Sequence, residues 1–261
     1  MQTQRVQALV LTSRPWQEAH RLVDLLTRER GLVRAIAYDA QKPQKPLSSV
    51  TQVLTECNLL LGTGDGELGV IIQGTSVAVF QAGATDPTRL AYALAIAEMI
   101  VRVAADEAAV RHDLAAVYDD CKVALRRVLD QDGPLVTVSA MMVALFPYAG
   151  LAIDTERCGE CGTPHMSPPV RFRVASGSGV CRECASQGAA RTEWPISEGA
   201  WRVLRHLAPL SPVRLGRVHV KPATEQEVCR LLSAMLSENA GISLRGLHVA
   251  QQLDPRFRTG K

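Results

Sequence analysis

Aromatic residues are scarce in this chain: Phe, Trp and Tyr make up 4% of its 261 residues. A surface built from many stacked rings is therefore excluded, and any nucleic-acid platform has few rings to work with. Long apolar runs are also missing, and none approaches the ~20 residues a membrane-spanning helix needs. The start, Met1 to Arg14, has no apolar core followed by a small-residue cleavage site, so no secretory leader is expected. A disulfide framework is lacking too. Of the seven cysteines, four sit in pairs and three (Cys57, Cys121, Cys229) stand singly. That is metal usage in a reducing, cytoplasmic setting, and the single thiols read as small buried hydrophobes. The familiar catalytic signatures are absent: there is no Gly-x-x-x-x-Gly-Lys-Ser/Thr phosphate loop, no Gly-x-Ser-x-Gly elbow and no His-Glu-x-x-His helix. Gly62-Thr63-Gly64-Asp65-Gly66 lies between strand-like runs and reads as a hairpin turn rather than a phosphate cradle. The adjacent acids Asp106-Glu107 and Asp119-Asp120 read as solvated helix faces, because no third metal ligand comes near them in sequence.

What is present is an uneven charge. The formal net charge of +3 conceals eight Lys/Arg against four Asp/Glu in residues 1–50, six against nine in residues 83–150, and eleven against six in residues 191–261. Basic ends flanking an acidic middle permit two polyanion-binding surfaces and a segment suited to a protein partner.

The first 80 residues carry strand signals. Residues 5–12 (RVQALVLT) are β-rich, with Arg14-Pro15 expected to end the run. Residues 18–27 fit helix or strand equally by periodicity. Arg28-Glu29-Arg30-Gly31 is a turn, leading to a strand through Tyr38. Gln41 to Pro46 (QKPQKP) is an exposed loop. In residues 51–61, Val53, Thr55, Cys57, Leu59 and Leu61 alternate on one face, and residues 68–80 form a last long strand. Five strands with Gly-rich turns in about 80 residues predict a small closed or nearly closed barrel. Helical signals follow. Asp86 is a candidate N-cap with Pro87 at the first helical position. Val110, Leu114, Val117, Cys121, Leu125 and Val128 step as one amphipathic stripe, more consistent with core than with a partner groove. Gly133-Pro134 opens a further helix that stops near Gly150. Ser197 caps a helix to Leu207, and Thr224, with Glu227 three residues on, reads as the capping box of another. The tail from Asp254 is polar and expected to fray. The expected division is 1–82 barrel, 83–153 helical, 154–190 cysteine module and 191–261 helices completing the helical part.

Cys158-Gly159-Glu160-Cys161 and Cys181-Arg182-Glu183-Cys184 are the strongest chemical signal. Two Cys-x-x-Cys knuckles can close four thiolates around one zinc ion, and a tetrathiolate leaves no open position for a catalytic water. His165, four residues after Cys161, is a less suitable substitute ligand. The Pro/Gly-rich loop between the knuckles buries too little to order itself, so a structural Zn2+ would supply the missing folding free energy. The bland alternative is four reduced, unligated thiols.

The N-terminal cations Arg14, Arg21, Arg28, Arg30, Arg34, Lys42 and Lys45 can track a phosphate backbone across a barrel face, or can simply be solvated charges. Trp16, beside Arg14, is a candidate stacking ring, whereas Phe80 suits buried packing. Arg202, Arg205, Arg214, Arg217 and Lys221 make a second basic cluster.

Residues 10–23 (VLTSRPWQEAHRLV) and 26–35 (LTRERGLVRA), the alanine-rich helix at Ala91-Tyr92-Ala93-Leu94, the run from Ala149-Gly150-Leu151 to the first knuckle, and Val180 to Ala185 together resemble the bacterial recombination mediator family RecO, in order and over most of the chain. The resemblance implies an α+β protein with an N-terminal five-stranded OB-fold, a central all-helical domain and an inserted four-cysteine zinc module. It implies no covalent catalysis. Instead it implies binding to single- and double-stranded DNA, annealing of complementary strands, and joint action with the partner RecR to load RecA onto DNA coated by single-strand-binding protein (SSB), whose C-terminal tail docks on the helical domain. The family's use of basic residues in the third strand and the following loop carries over to Arg34, Lys42 and Lys45. Asp39 interrupts that loop here, which shifts weight to Arg14, Arg21, Arg28 and the C-terminal Arg202, Arg205, Arg214 and Arg217. Arg126 and Arg127, beside Val123 and Leu129, are the candidates for the SSB tail, with pairing to acids such as Asp130 as the alternative. A protein-binding adaptor with incidental basic ends and a zinc-dependent hydrolase are the rival readings.

Overall fold

The computed structural model describes residues 2–63, 68–80, 86–104, 108–130, 134–164, 168, 171–186, 193–214 and 219–258. Strands β1 (Gln2–Trp16), β2 (His20–Thr27) and β3 (Gly31–Ala37) are followed by a short helix α1 (Pro46–Val50) and strands β4 (Thr55–Thr63) and β5 (Leu68–Val79). Helices α2 (Pro87–Val103), α3 (Ala108–Asp113), α4 (Tyr118–Asp130) and α5 (Pro134–Leu145) come next. A small sheet of β6 (Arg171–Arg173), β7 (Ser178–Val180) and β8 (Glu193–Pro195) has α6 (Arg182–Ser186) between its last two strands. Helices α7 (Glu198–Leu207), α8 (Pro222–Ala240), α9 (Arg245–Leu253) and α10 (Pro255–Arg258) follow. The class is mixed α+β, with a five-stranded N-terminal sheet and a helical remainder.

The five strands pair in the order β1-β2-β3-β5-β4, and β4 pairs back onto β1 to close the sheet. Only β3 and β5 run parallel. Side chains alternate across a strand, and here both sides are used. Val6, Ala8, Val10, Val23, Leu25, Val33 and Ala35 form one core with Cys57, Leu59 and Leu61. Leu9, Leu11, Leu26 and Leu32 point the other way, into the core shared with the helices. Strands buried on both faces read as apolar runs without a period, which is why residues 18–27 fit either helix or strand. They form β2.

Several expectations are corrected. Arg14-Pro15 does not end β1, which continues to Trp16. Pro15 lies opposite Arg21 near the hairpin end, where a missing N–H is tolerated. The fourth strand begins at Thr55, not Thr51; the residues before it form a turn that follows α1, whose Val50 and Leu47 pack into the barrel core. Leu54 turns into the strand with a φ of 60°. The single helix expected over Val110 to Val128 is α3, a 3-10 turn at Leu114–Val117 and α4, although Leu114, Val117, Cys121, Leu125 and Val128 are all buried as the stripe requires. Thr224 is not a cap: α8 starts at Pro222 with Lys221 before it. Its expected partner Glu227 instead accepts from Ser197 N and Oγ, each at 2.6 Å. Ser197 Oγ in turn accepts from Ala200 N at 3.1 Å. The capping box is assembled between two helices. The expected fraying from Asp254 is corrected for residues 254–258, because Asp254 is buried and α10 follows it, while residues 259–261 lie outside the described residues. Asp86 does cap α2, accepting from Thr88 N at 2.8 Å, and Gly150, with a φ of 68°, closes the 3-10 turn Phe146–Ala149 that continues α5 beyond Leu145. The turn residues Gly64-Asp65-Gly66, the acids Asp106-Glu107 and Gly133 lie outside the described residues.

Helix α5 is buried from Pro134 to Val143 on every side, as befits a helix apolar all round. Around it pack residues of α2, α4, α7, α8 and α9 in one cluster, which also takes in Leu9, Leu11, Leu26, Leu32 and Leu54 of the barrel. The seam has no slack at Gly31. Its φ is 66°, and a Cβ there would overlap the Arg111 carbonyl. Charges line the seam too. Arg28 pairs with Asp119 and sits 5.2 Å from the Tyr118 ring centroid. The buried Glu56 of β4 receives Lys122, and Arg126 Nη2 at 3.8 Å.

A second long-range tie holds the C-terminal helices. Tyr92 Oη donates to Asp254 Oδ2 at 2.8 Å. Arg256 Nη2 bonds the same oxygen at 2.7 Å, and Arg256 Nη1 bonds Glu225 Oε2 at 2.9 Å. Burial opposes the charged form of Asp254, but the bonds from Arg256 and Tyr92 outweigh it and hold its pKa below the usual carboxylate value. Burial pushes Glu225 up despite Arg256. Removing the cation would strand two carboxylates, so Arg256→Ala is expected to lower stability by about 3–5 kcal/mol in urea unfolding. A change below about 1 kcal/mol would show that the network is solvated and structurally minor.

Candidate metal centre and basic surfaces

Residues 151–195 bury few apolar side chains. Among the described ones they are Cys158, Phe172, Val174 and Val180. Phe172 and Val174 root β6 in the helical core, and Asn239 Nδ2 of α8 donates to Val174 O at 2.8 Å. The outer part of the module must be held by something else. Its first knuckle is a tight turn: Gly162 N donates to Cys158 O at 2.9 Å, and Gly162 takes a φ of 71°. Gly159 N donates to Gly179 O at 2.9 Å, and a Cβ at Gly159 would overlap Ser178 Oγ. The second knuckle is the entry to α6, where Ala185 N donates to Cys181 O at 3.0 Å.

These turns bring Cys158, Cys161, Cys181 and Cys184 together, with their sulfurs all within 4.8 Å of one another. Cys161 and Cys181 are 4.0 Å apart, close to the ~3.8 Å between ligands of a tetrahedral site with zinc–sulfur bonds near 2.3 Å. The Thr163 hydroxyl, 3.3 Å from Cys161 Sγ, and the Thr163 backbone lower the Cys161 thiol to about 6. Hydrogen bonds with Cys181 and Cys161 push Cys184 up. Four sulfurs so close cannot all ionise without a cation between them. The donor set, its spacing and its thin hydrophobic support fit a metal ion. His165 lies outside the described residues.

Cys57, Cys121 and Cys229 are buried elsewhere, and burial raises each thiol to about 12. They are inert core residues.

The barrel cations are spread over several settings. Arg34 Nε on β3 bonds Asp24 Oδ1 at 2.7 Å. Arg21 Nη1 on β2 donates to Ser13 Oγ at 3.1 Å. Lys42 pairs with Asp39 at 2.7 Å, so the acid that interrupts the loop neutralises its neighbour and is itself held below the usual carboxylate value, chiefly by that hydrogen bond. Lys45 and Arg14 are exposed. Arg28 belongs to the barrel–helix seam. At the other end Arg202 pairs with Glu198 within α7, Arg205 and Arg214 are exposed, and Arg217 lies outside the described residues. Arg126 does not pair with Asp130. It reaches Glu56 and lies 5.7 Å from the Phe80 ring centroid. The acids Asp119 and Asp120 are not a free solvated face, since the first pairs with Arg28 and the second accepts from Val213 N at 3.0 Å. Spacing carries no signal for these partners, which lie about 90 residues away in sequence.

The chain matches the family description "Recombination protein O N terminal" over residues 1–80 and "Recombination protein O C terminal" over residues 84–248. The chain belongs to the RecO family. It is similar to proteins named "DNA repair protein RecO" from Bacillus cereus (strain AH187), Bacillus thuringiensis subsp. konkukian (strain 97-27) and Bacillus anthracis. Each is 27% identical over 252 residues, covering 96% of this chain and 98% of the relative. The two RecO segments meet where the barrel hands over to α2. No helix among the described residues is long and apolar enough to cross a membrane.

Purified protein is expected to carry one zinc ion per chain by metal analysis. Cys181→Ser should lose it and become open to proteolysis within 154–186 while the barrel's circular dichroism persists. Wild-type protein free of zinc after metal-replete purification would contradict a tetrathiolate site.

Proposed function

We propose that this RecO-family chain is a DNA repair and recombination mediator. It binds single- and double-stranded DNA, anneals complementary strands, and with RecR helps load RecA onto SSB-coated DNA. The observation that carries this reading is the match to both RecO segments, from residue 1 to 248, with nearly full coverage of relatives named as DNA repair proteins. The closed strand order β1-β2-β3-β5-β4 supports an OB-fold, a fold that binds oligonucleotides along a strand face and its loops. In this reading the chain divides at 82, 153 and 190 into OB-fold, helical part, zinc module and completing helices.

The mechanism is electrostatic and needs no bond-breaking. Two strands repel through their phosphates. Cations on one body screen both at once, releasing condensed counterions as they bind. Arg14, Arg21, Arg34, Lys42 and Lys45 serve on the barrel side, and Arg202, Arg205, Arg214 and Arg217 on the other. Arg28 contributes less, being engaged with Asp119 and Tyr118. One structural Zn2+ on Cys158, Cys161, Cys181 and Cys184 orders the module beside α8 and performs no chemistry. The SSB tail docks on the helical part, and the protein works in the cytoplasm at the nucleoid.

The adaptor reading has one observation in its favour: Arg28, Arg34, Lys42 and Arg202 each already have an acidic partner. Salt dependence separates the two. Affinity for single-stranded DNA is expected to fall at least about tenfold between roughly 50 and 200 mM salt, and Lys45→Ala to flatten the slope by about one contact whatever the sequence. Salt-independent binding, or none at low salt, would sink the DNA reading in favour of the adaptor.

A further inference from the structure

Three rings meet at one end of the barrel. Trp16 ends β1, His20 begins β2 and Tyr38 follows β3. The Trp16 and His20 centroids are 6.1 Å apart with planes at 36°, and those of His20 and Tyr38 are 4.9 Å apart at 77°. The first contact is tilted, and the second is the edge-on arrangement that ring quadrupoles favour.

The backbone beneath the rings is cross-braced. Gln41 N donates to Ala19 O at 3.0 Å, and Gln41 Nε2 donates to Gln17 O at 3.2 Å and His20 O at 2.8 Å. Asp39 N donates to His20 Nδ1 at 3.0 Å, so this nitrogen is an acceptor and the orientation of the ring is fixed. Gln17 and Asp39 take φ values of 53° and 57°, uncommon for residues with a Cβ. The Gln41 bonds span the first of these turns, and the Asp39–His20 bond fixes the second. The rings are thus presented on a preorganised base.

Tyr38 is the most open of them at 49% exposure, and it stands on the wall of a cavity of about 830 Å³. Arg5, Lys45, Gln7, Asn58 and Gln73 also line that cavity, giving two cations and three amides beside a ring; the two acids on the same wall are engaged, Glu29 accepting from Gln7 N and Asp39 pairing with Lys42. Arg14 is exposed next to Trp16 and makes no ion pair among the described residues. A site that joins rings, amides and cations suits a ligand with flat faces, polar edges and negative charge. Unpaired nucleotides have all three, whereas duplex bases keep their faces stacked.

We propose that Trp16, His20 and Tyr38 form a base-stacking platform for single-stranded nucleic acid, with the cavity beside Tyr38 receiving the adjoining nucleotides. This rests on the DNA-binding reading and adds to it a means of recognising unpaired strands that backbone neutralisation lacks.

The test uses the full chain and two probes of equal length and charge, labelled oligo(dT) and an oligomer of abasic tetrahydrofuran sites. Wild-type protein is expected to bind oligo(dT) at least about tenfold more tightly by fluorescence anisotropy. The double variant Trp16→Ala/Tyr38→Ala should lose most of that preference and bind the abasic oligomer as before, while Tyr38→Phe keeps the preference. Equal wild-type affinity for both probes overturns the stacking platform and leaves backbone binding standing. A folded double variant with the preference intact overturns it equally. Binding to neither probe removes the DNA reading itself and the platform with it.

Discussion

The structure depends on one constraint: the middle of β1, the second half of β2 and most of β3 are buried on both faces. Inward side chains fill the barrel, and Leu9, Leu11, Leu26 and Leu32 cross into the helical core together with Leu54. Fully burying a leucine is worth about 1.5–3 kcal/mol, so swinging the barrel away from the helices would expose several such groups at once. Gly31 tightens the seam because nothing larger fits against the Arg111 carbonyl. Barrel, helices and the β6 root of the cysteine module therefore share a frame, and the cations on each part keep fixed relative positions. The strand annealing proposed above would depend on such a frame.

Charge follows the same architecture. The acidic middle of the sequence is partly consumed inside the molecule: Asp119 takes Arg28, while Lys122 and Arg126 of that segment converge on Glu56 of the barrel. These contacts tie the barrel to α4 and pair cations that would otherwise be free. The surface charge left for a polyanion is smaller than the composition suggests. In the proposed DNA-binding role, that gives Arg14 and Lys45, and the proposed ring stacking, more weight than a count of basic residues would.

Local features were legible in the sequence. The two knuckles announced a four-sulfur cluster because Cys-x-x-Cys spacing fixes each pair through a single turn. Asp86, Ser197 and Gly150 announced helix ends because capping is chemistry within a few residues. The class and the closed five-stranded sheet followed from strand runs and Gly-rich turns, and the run of residues 10–35 carried the resemblance that both family segments bear out. What escaped was pairing at a distance. Glu227 looked like the partner of Thr224 but serves Ser197, and the Tyr92–Asp254 bond joins residues 162 apart. Helix α1 is too short to show a period. The tail after Asp254 looked merely polar, because its buried arginine–carboxylate network exists only once α2, α8 and α10 have come together.

The most direct measurement of mediator function is annealing of complementary strands coated with single-strand-binding protein, followed by fluorescence quenching with and without RecR. Acceleration over the spontaneous rate, lost on raising salt and requiring no nucleotide, is the expected result. Strands that stay apart at the spontaneous rate, with folded protein in excess, would contradict the mediator role.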